Sequence, residues 1–299
     1  MASVLTAGET MALLDPVEDG ELSTGMTMTL RFAGAESNFA VALARLGIDV
    51  AWVSRLGRDP FGDMVERGLA EEGVDVGLVR RDDARTGLFV KWRSGGRSRV
   101  LYYRSGSAAC QLSPGDVADD ALNGVRLVHL TGITMAISQS ARALVVDLAR
   151  RAKECGATVL FDPNFRPAIP DTPEAAASRQ EEVLQFVDWY LCGDEEARLL
   201  WGEREIPVRC VRRVGARGAI IDGELVAPAR AARVVDEVGA GDAFAAGFAY
   251  GLLQEWEPQE CVRAGNALAG RALAGTGDWE TLPRLADLEN LLQPIGGEG

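Results

Sequence analysis

Arg126-Leu127-Val128-His129-Leu130-Thr131, then the helical stretch 138–155, then Ala157-Thr158-Val159-Leu160-Phe161-Asp162, read as strand, helix, strand. Such a unit closes as a right-handed crossover between parallel strands. The alternation continues downstream. A helix is expected over 173–187, a strand over 189–192, a helix over 194–201, and strands over 208–214 and 219–221. Helices over about 241–253, 258–274 and 284–292 end the chain. Upstream, 3–7 and 49–54 read as strands. Residues 36–46 have the helical period in Phe39, Val41, Ala42 and Leu46, with Gly47 as the stop, and a further helix runs from Pro60 to about Glu72. The expectation is one α/β unit over 1–299, a three-layer α/β/α arrangement around a mostly parallel sheet.

Two segments have a different texture. Residues 22–33 carry Thr and Met with loose alternation, and 86–104 form two β-rich runs around Gly95-Gly96. They do not fit the parallel sheet. They predict a small antiparallel lid, at about 22–34 and 86–104, over the carboxyl-end edge where such folds bind ligands.

Composition narrows the function. The chain has 299 residues, 47% of them apolar and 25% charged, which suits a well-buried globular core. A net charge of −13 argues against a nucleic-acid partner. No apolar run reaches the ~18 residues of a membrane span, and the early charges, Glu9 and Asp15, are acidic rather than those of a leader, so a cytoplasmic location is expected. The single histidine, His129, excludes a multi-histidine metal cage. Neither lysine, Lys91 or Lys153, follows a phosphate-loop glycine pattern. The five cysteines form no Cys-x-x-Cys and read as buried thiols.

The stretch with the most chemistry is Val234-Val235-Asp236-Glu237-Val238-Gly239-Ala240-Gly241-Asp242-Ala243-Phe244-Ala245-Ala246-Gly247. A strand enters a glycine turn that opens a small-residue helix. Backbone N–H groups of 239–242 then point outward at the positive end of the helix dipole, a ready anion site. Asp242 at its mouth is placed to take a proton from a hydroxyl, or simply to cap the helix. A dinucleotide-binding turn is a poor alternative, because Phe244 stands where that motif has Gly or Ala and no strands follow.

These residues resemble the ribokinase-like carbohydrate kinases. Asp236 to Asp242 matches that family's C-terminal signature, and Ala33-Gly34-Ala35-Glu36-Ser37-Asn38, with Gly47 and Gly57, matches its N-terminal one. Within the family, Thr86-Gly87-Leu88-Phe89, Tyr102 to Ala109 and Asp162-Pro163-Asn164-Phe165-Arg166-Pro167 are most similar to the 2-keto-3-deoxygluconate kinase type. The resemblance implies an ATP-dependent transfer to the terminal hydroxyl of a sugar acid. Asp242 would be the base, with Gly239, Ala240 and Gly241 supplying the anion hole. It places Gly34, Asn38, Phe89, Tyr102, Arg104, Arg166 and Asp278 on the sugar. Asn164, Arg213, Gly215, Gly218, Gly239, Gly241 and Asn266 fall on the nucleotide side. Mg²⁺ is implied, with Glu196 as its candidate ligand; a monovalent cation and a homo-oligomer paired through the lid edge are implied as well. Independently of the resemblance, Tyr102 and Arg104 share a strand face, and a guanidinium fork matches a carboxylate.

The chain departs from the family pattern at four points. Glu237 replaces a threonine, Gly193 replaces the asparagine of the motif ending in Glu196, Ala33 stands where a glycine is common, and Phe89 replaces a common tyrosine. Phe89 removes a hydroxyl from the substrate side, and the Asp162-to-Arg166 motif is similar to that of fructokinase-like members too, which makes a neutral sugar such as fructose the alternative substrate; Glu237 with Gly193 leave room for a non-catalytic ligand-binding relative.

Overall fold

Val4 to Ala7 form a strand buried along its whole length, with Val4 facing one apolar cluster and Leu5 and Ala7 facing another. Strands of this kind lie inside a sheet covered on both faces. The computed structural model describes residues 2–95, 97–166, 172–228, 234–235 and 238–292. Its strands are β1 (Val4–Ala7), β2 (Met11–Pro16), β3 (Met28–Ala33), β4 (Val50–Gly57), β5 (Val79–Asp82), β6 (Leu88–Ser94) and β7 (Arg97–Tyr103). There follow β8 (Leu127–Thr131), β9 (Thr158–Asp162), β10 (Trp189–Gly193), β11 (Cys210–Arg213), β12 (Ala219–Ile221) and β13 (Glu224–Val226). The helices are α1 (Ala35–Arg45), α2 (Pro60–Glu71), α3 (Gly132–Ile137), α4 (Gln139–Glu154) and α5 (Pro173–Leu184). They continue with α6 (Asp194–Trp201), α7 (Ala240–Leu253), α8 (Pro258–Leu273) and α9 (Leu285–Leu292).

Among the described residues the central sheet has the order β13-β12-β11-β10-β9-β8-β1-β4-β5. Every neighbouring pair from β11 to β5 is parallel, and β12 and β13 fold back antiparallel. Side chains alternate across it: Leu160, Trp189 and Leu191 meet α1, α2, α7 and α8 on one face, while Phe161, Tyr190 and Cys192 meet α4, α5 and α6 on the other. A wholly buried Phe such as Phe39, Phe161 or Phe244 contributes about 1.5–3 kcal/mol of burial. Helices α7 and α8 touch backbone to backbone, since a Cβ on Gly247 would lie 2.5 Å from the Ala264 carbonyl oxygen. The family of small residues in α7 therefore sets how closely the helix carrying Asp242 sits against its neighbour.

A second sheet, ordered β3-β2-β6-β7, stands over the carboxyl ends of the first. The lid expected from 22–34 and 86–104 is present but differs from expectation in three ways. It gains β2, whose Met-Ala-Leu-Leu run shows no alternation because both faces are apolar: Met11 and Leu13 pack inward, while Ala12 and Leu14 lie opposite Phe32 and Leu30. Its β3 begins at Met28, and 22–27 form turns and exposed coil. It is also mixed rather than antiparallel, because β2 and β6 pair parallel across a long excursion through the central sheet. The missed central strands β5 and β13 are short edges; β5 reads Val-Arg-Arg-Asp and offers little apolar signal.

His129 lies on β8 in the middle of this architecture. It is buried, stacks on Phe39 with ring centroids 3.9 Å apart, and shares a 2.9 Å hydrogen bond between Nδ1 and Thr6 Oγ1. Burial pushes its pKa down to about 4. The unfolded chain titrates near 6.5, so between pH 6.5 and 4 it takes up a proton that the native state refuses. Stability is therefore lost as pH falls through that window, by roughly 2–3 kcal/mol at pH 4.5. The stability difference between wild type and His129→Gln, from urea unfolding at pH 7 and 4.5, is expected to change by that amount in the variant's favour at the lower pH. A pH-independent difference would mean that the imidazole charges inside the fold.

Candidate active site

The carboxyl ends of β9 and β11, the starts of α1, α6 and α7 and the inner face of the lid enclose a cavity of about 380 Å³. Its floor is Asp242, the third residue of α7. Asn38 of α1 donates from Nδ2 to Asp242 Oδ2 at 2.8 Å, and Asn164, just beyond β9, donates from Nδ2 to Oδ1 at 3.2 Å. The carboxylate is 7% exposed. Burial pushes its pKa up to about 7, against the pull of Arg166 and the Asn38 hydrogen bond and with the push of Asp162 and Asp278. Such a group changes protonation near neutrality, as a general base should.

The turn ahead of Asp242 depends on glycine. Gly239 caps α7 at φ +80°, and a Cβ there would lie 2.1 Å from the Asp278 carbonyl oxygen. The first intrahelical bond runs from Ala243 N–H to Gly239 O, so the N–H groups ahead of Ala243 have no intrahelical acceptor. Ala240 and Gly241 open the helix; Gly241 lines the cavity, and Ala240 packs against the core instead. Asp236 and Glu237 of the same motif, and Pro167, lie outside the described residues.

One wall is a buried ion network. Arg213 at the end of β11 donates from Nη1 to Asp162 Oδ2 at 2.8 Å and to the Gly241 carbonyl at 3.1 Å, and its Nη2 lies 3.7 Å from Glu196. Burial works against the guanidinium charge, but Asp162 and Glu196 outweigh it and hold the pKa up. Glu196 accepts the N–H of Phe165 at 2.6 Å and of Gly193 at 3.0 Å. Its expected place as a metal ligand is therefore largely taken by backbone bonds. Among the described residues no group of three or more carboxylate, thiol or imidazole side chains is gathered to hold a metal.

The roof is the lid. Phe89 and Tyr102, directly paired across β6 and β7 with centroids 5.7 Å apart, face the cavity with Met11, Lys91 and Val100. Gly34, Arg166, Asn164 and Asp278 complete the lining. Thus most of the expected sugar-side residues converge, together with Asn164, Arg213, Gly239 and Gly241. Arg104 does not line the cavity: its Nη2 lies 2.6 Å from Glu9 Oε2 and its guanidinium sits 5.8 Å from the Tyr102 ring centroid. Gly215 and Gly218 form the left-handed turn after β11, outside this lining. Asn266 on α8 is spent on the Val226 carbonyl at 3.0 Å. Lys91, Glu9 and Asp162 were not singled out from sequence. Alternation from Phe89 would have found Lys91, which shares its strand face. A larger groove, about 450 Å³ beside α6, is lined by arginines already paired with carboxylates, including Arg204 with Glu181 and Arg209 with Asp222.

The comparisons with known proteins agree with this geometry. The model of the pfkB family carbohydrate kinases matches residues 1–284. The 2-dehydro-3-deoxygluconokinase of Bacillus subtilis is 33% identical, over 96% of this chain and 94% of its own. That of Thermoproteus tenax is 33% identical over 99% and 95%. Among solved structures, a PfkB protein from Polaromonas sp. JS666 superposes with a TM-score of 0.85 at 35% identity, covering 97% of this chain and 99% of that one. No helix among the described residues is long and apolar enough to cross a membrane. The match runs over nearly the full length of these relatives, and the chain belongs to the pfkB family of carbohydrate kinases, phosphotransferases that act on an alcohol group.

Proposed function

We propose that this kinase transfers the γ-phosphoryl group of ATP to the terminal hydroxyl of 2-keto-3-deoxygluconate, with Asp242 as the base. The observation that carries this reading is Asp242 itself: a carboxylate with a pKa near 7, fixed by two amides at the positive end of α7. Asp242 takes the hydroxyl proton as the sugar oxygen bonds to the γ-phosphorus and the bond to the bridging oxygen of ADP breaks. The N–H groups at the start of α7 stabilise the charge on the moving phosphoryl group. The lid excludes water, which suppresses hydrolysis of ATP.

The nucleotide is expected beside Arg213, Asn164 and the Gly215–Gly218 turn, with Asn266 near its base. Asp162 and Glu196 on that wall are held by Arg213 and by backbone N–H groups, so an Mg²⁺ there would be held chiefly by phosphate oxygens and water. When bound, Mg²⁺ neutralises phosphate charge. An acid substrate is favoured by the guanidinium of Arg166, which lines the cavity. Arg104 stands outside that lining, paired with Glu9, and would meet a carboxylate only if the roof rearranged. The relatives named for 2-dehydro-3-deoxygluconate support the same substrate.

A second copy of the chain is the expected partner. The outer face of the lid collects Leu14, Leu30, Val90, Leu101 and Tyr103 by register, with Leu30, Leu101 and Tyr103 exposed at 47%, 43% and 60%. A sheet apolar on both faces has its outer one left to cover.

Three outcomes test these readings. In a coupled ADP-release assay with ATP and Mg²⁺, turnover should favour 2-keto-3-deoxygluconate over gluconate, fructose and ribose. Its kcat should fall below pH 7, where Asp242 is protonated, and Asp242→Asn should abolish it while sugar affinity stays within about tenfold. Preference for a neutral sugar would discard the substrate, and an active Asp242→Asn would discard the base. Arg166→Ala should raise the KM of an acid sugar far more than that of a neutral one; equal effects would remove the carboxylate role. Sedimentation should show a dimer that Leu101→Lys with Tyr103→Lys converts to monomer, whereas a monomeric wild type would rule the interface out.

A further inference from the structure

Lys91 is one of two lysines in this chain and is 4% exposed. It stands on β6 two residues from Phe89, on the inner face of the roof, and its Nζ lies 3.5 Å from Asp278 Oδ1. Asp278 is 5% exposed, and its backbone lies directly against the Gly239 turn. The ion pair therefore joins the lid to the loop that braces the start of α7. Burying two charges carries a desolvation cost that an apolar pair of the same volume avoids. A pair retained here points to a task in the cavity that both residues line.

We propose that Lys91 is a positioning residue for Asp278: across their 3.5 Å pair it aims into the cavity the carboxylate that the resemblance places on the sugar, where Asp278 accepts a hydroxyl flanking the one that Asp242 deprotonates. The inference rests on the carbohydrate-kinase reading and deepens it, since it restricts good substrates to polyols with such a flanking hydroxyl. The physical need for a cation is plain. Asp278 and Asp242 share one cavity, and the charge of Asp278 opposes ionisation of Asp242. Lys91 of β6 reaches Asp278 at 3.5 Å and Arg31 of β3 acts on it from further off, so the lid supplies the opposing charge and a seated roof fixes where the carboxylate points.

The test uses whichever sugar the wild-type enzyme turns over best, so an error in the proposed substrate does not decide it. Equilibrium binding of the same sugars without ATP gives the comparison independently of turnover. Lys91→Met and Asp278→Asn should each raise the sugar KM about ten- to hundredfold, the range for a lost hydrogen bond to a charged group, while the KM for ATP and the unfolding midpoint stay near wild type. The double variant should be no worse than the poorer single one, because both remove the same interaction. Lys91→Arg should recover most of the sugar affinity, since Lys91 also borders a polar chamber of about 260 Å³ that has room for a guanidinium. Should Lys91→Met fail to fold, Lys91→Gln carries the same expectation. An unchanged sugar KM, an equal rise for ATP, multiplied effects in the double variant, or Lys91→Arg no better than Lys91→Met would each overturn the proposal.

Discussion

Asp242 is held by two amides that come from far away in the chain. Asn38 is 204 residues upstream and Asn164 is 78. Their bonds require α1, the end of β9 and the start of α7 to be in place together, so the site depends on the fold of the whole sheet. The same arrangement sets the chemistry. Burial pushes the carboxyl pKa up, and the Arg166 charge and the Asn38 amide pull it back, which leaves it poised near 7.

Around that carboxylate the cavity gathers three cations, Lys91, Arg166 and Arg213, against four carboxylates, Asp162, Glu196, Asp242 and Asp278. Most are already paired. Arg213 is locked to Asp162, and Lys91 faces Asp278. Fixed pairs of this kind cost no reorganisation during reaction, which is the property that preorganised electrostatics requires. The lid adds an apolar lining of Met11, Phe89 and Val100 that lowers the local dielectric and strengthens each of these pairs.

Much of this was legible in the sequence because it rests on local signals. The βαβ alternation and the glycine turn before Asp242 are properties of short windows, and the parallel sheet and the turn that opens α7 are both present. Strand β2 was not legible, since a run apolar on both faces cannot be told from a buried strand of the main sheet. The roles of Glu196 and Asn266 turned on partners distant in sequence: the backbone at Phe165 and Gly193, and the carbonyl of Val226. Arg104 shows the same gap. Its strand face was correct by periodicity, but Glu9, which holds it, lies in the connection between β1 and β2 and carries no signal of its own.

That connection is three residues long, Gly8, Glu9 and Thr10, all buried. The roof is thus rooted in β1, an interior strand of the sheet, as a cantilever rather than a flap on a tether. A load placed on Phe89 or Tyr102 passes along β2 into β1, whose neighbours are β4 and β8. Opening must then bend a continuous ribbon of backbone over a short lever arm. A ligand pressed against the inner face of the roof therefore loads the interior of the parallel sheet through backbone alone.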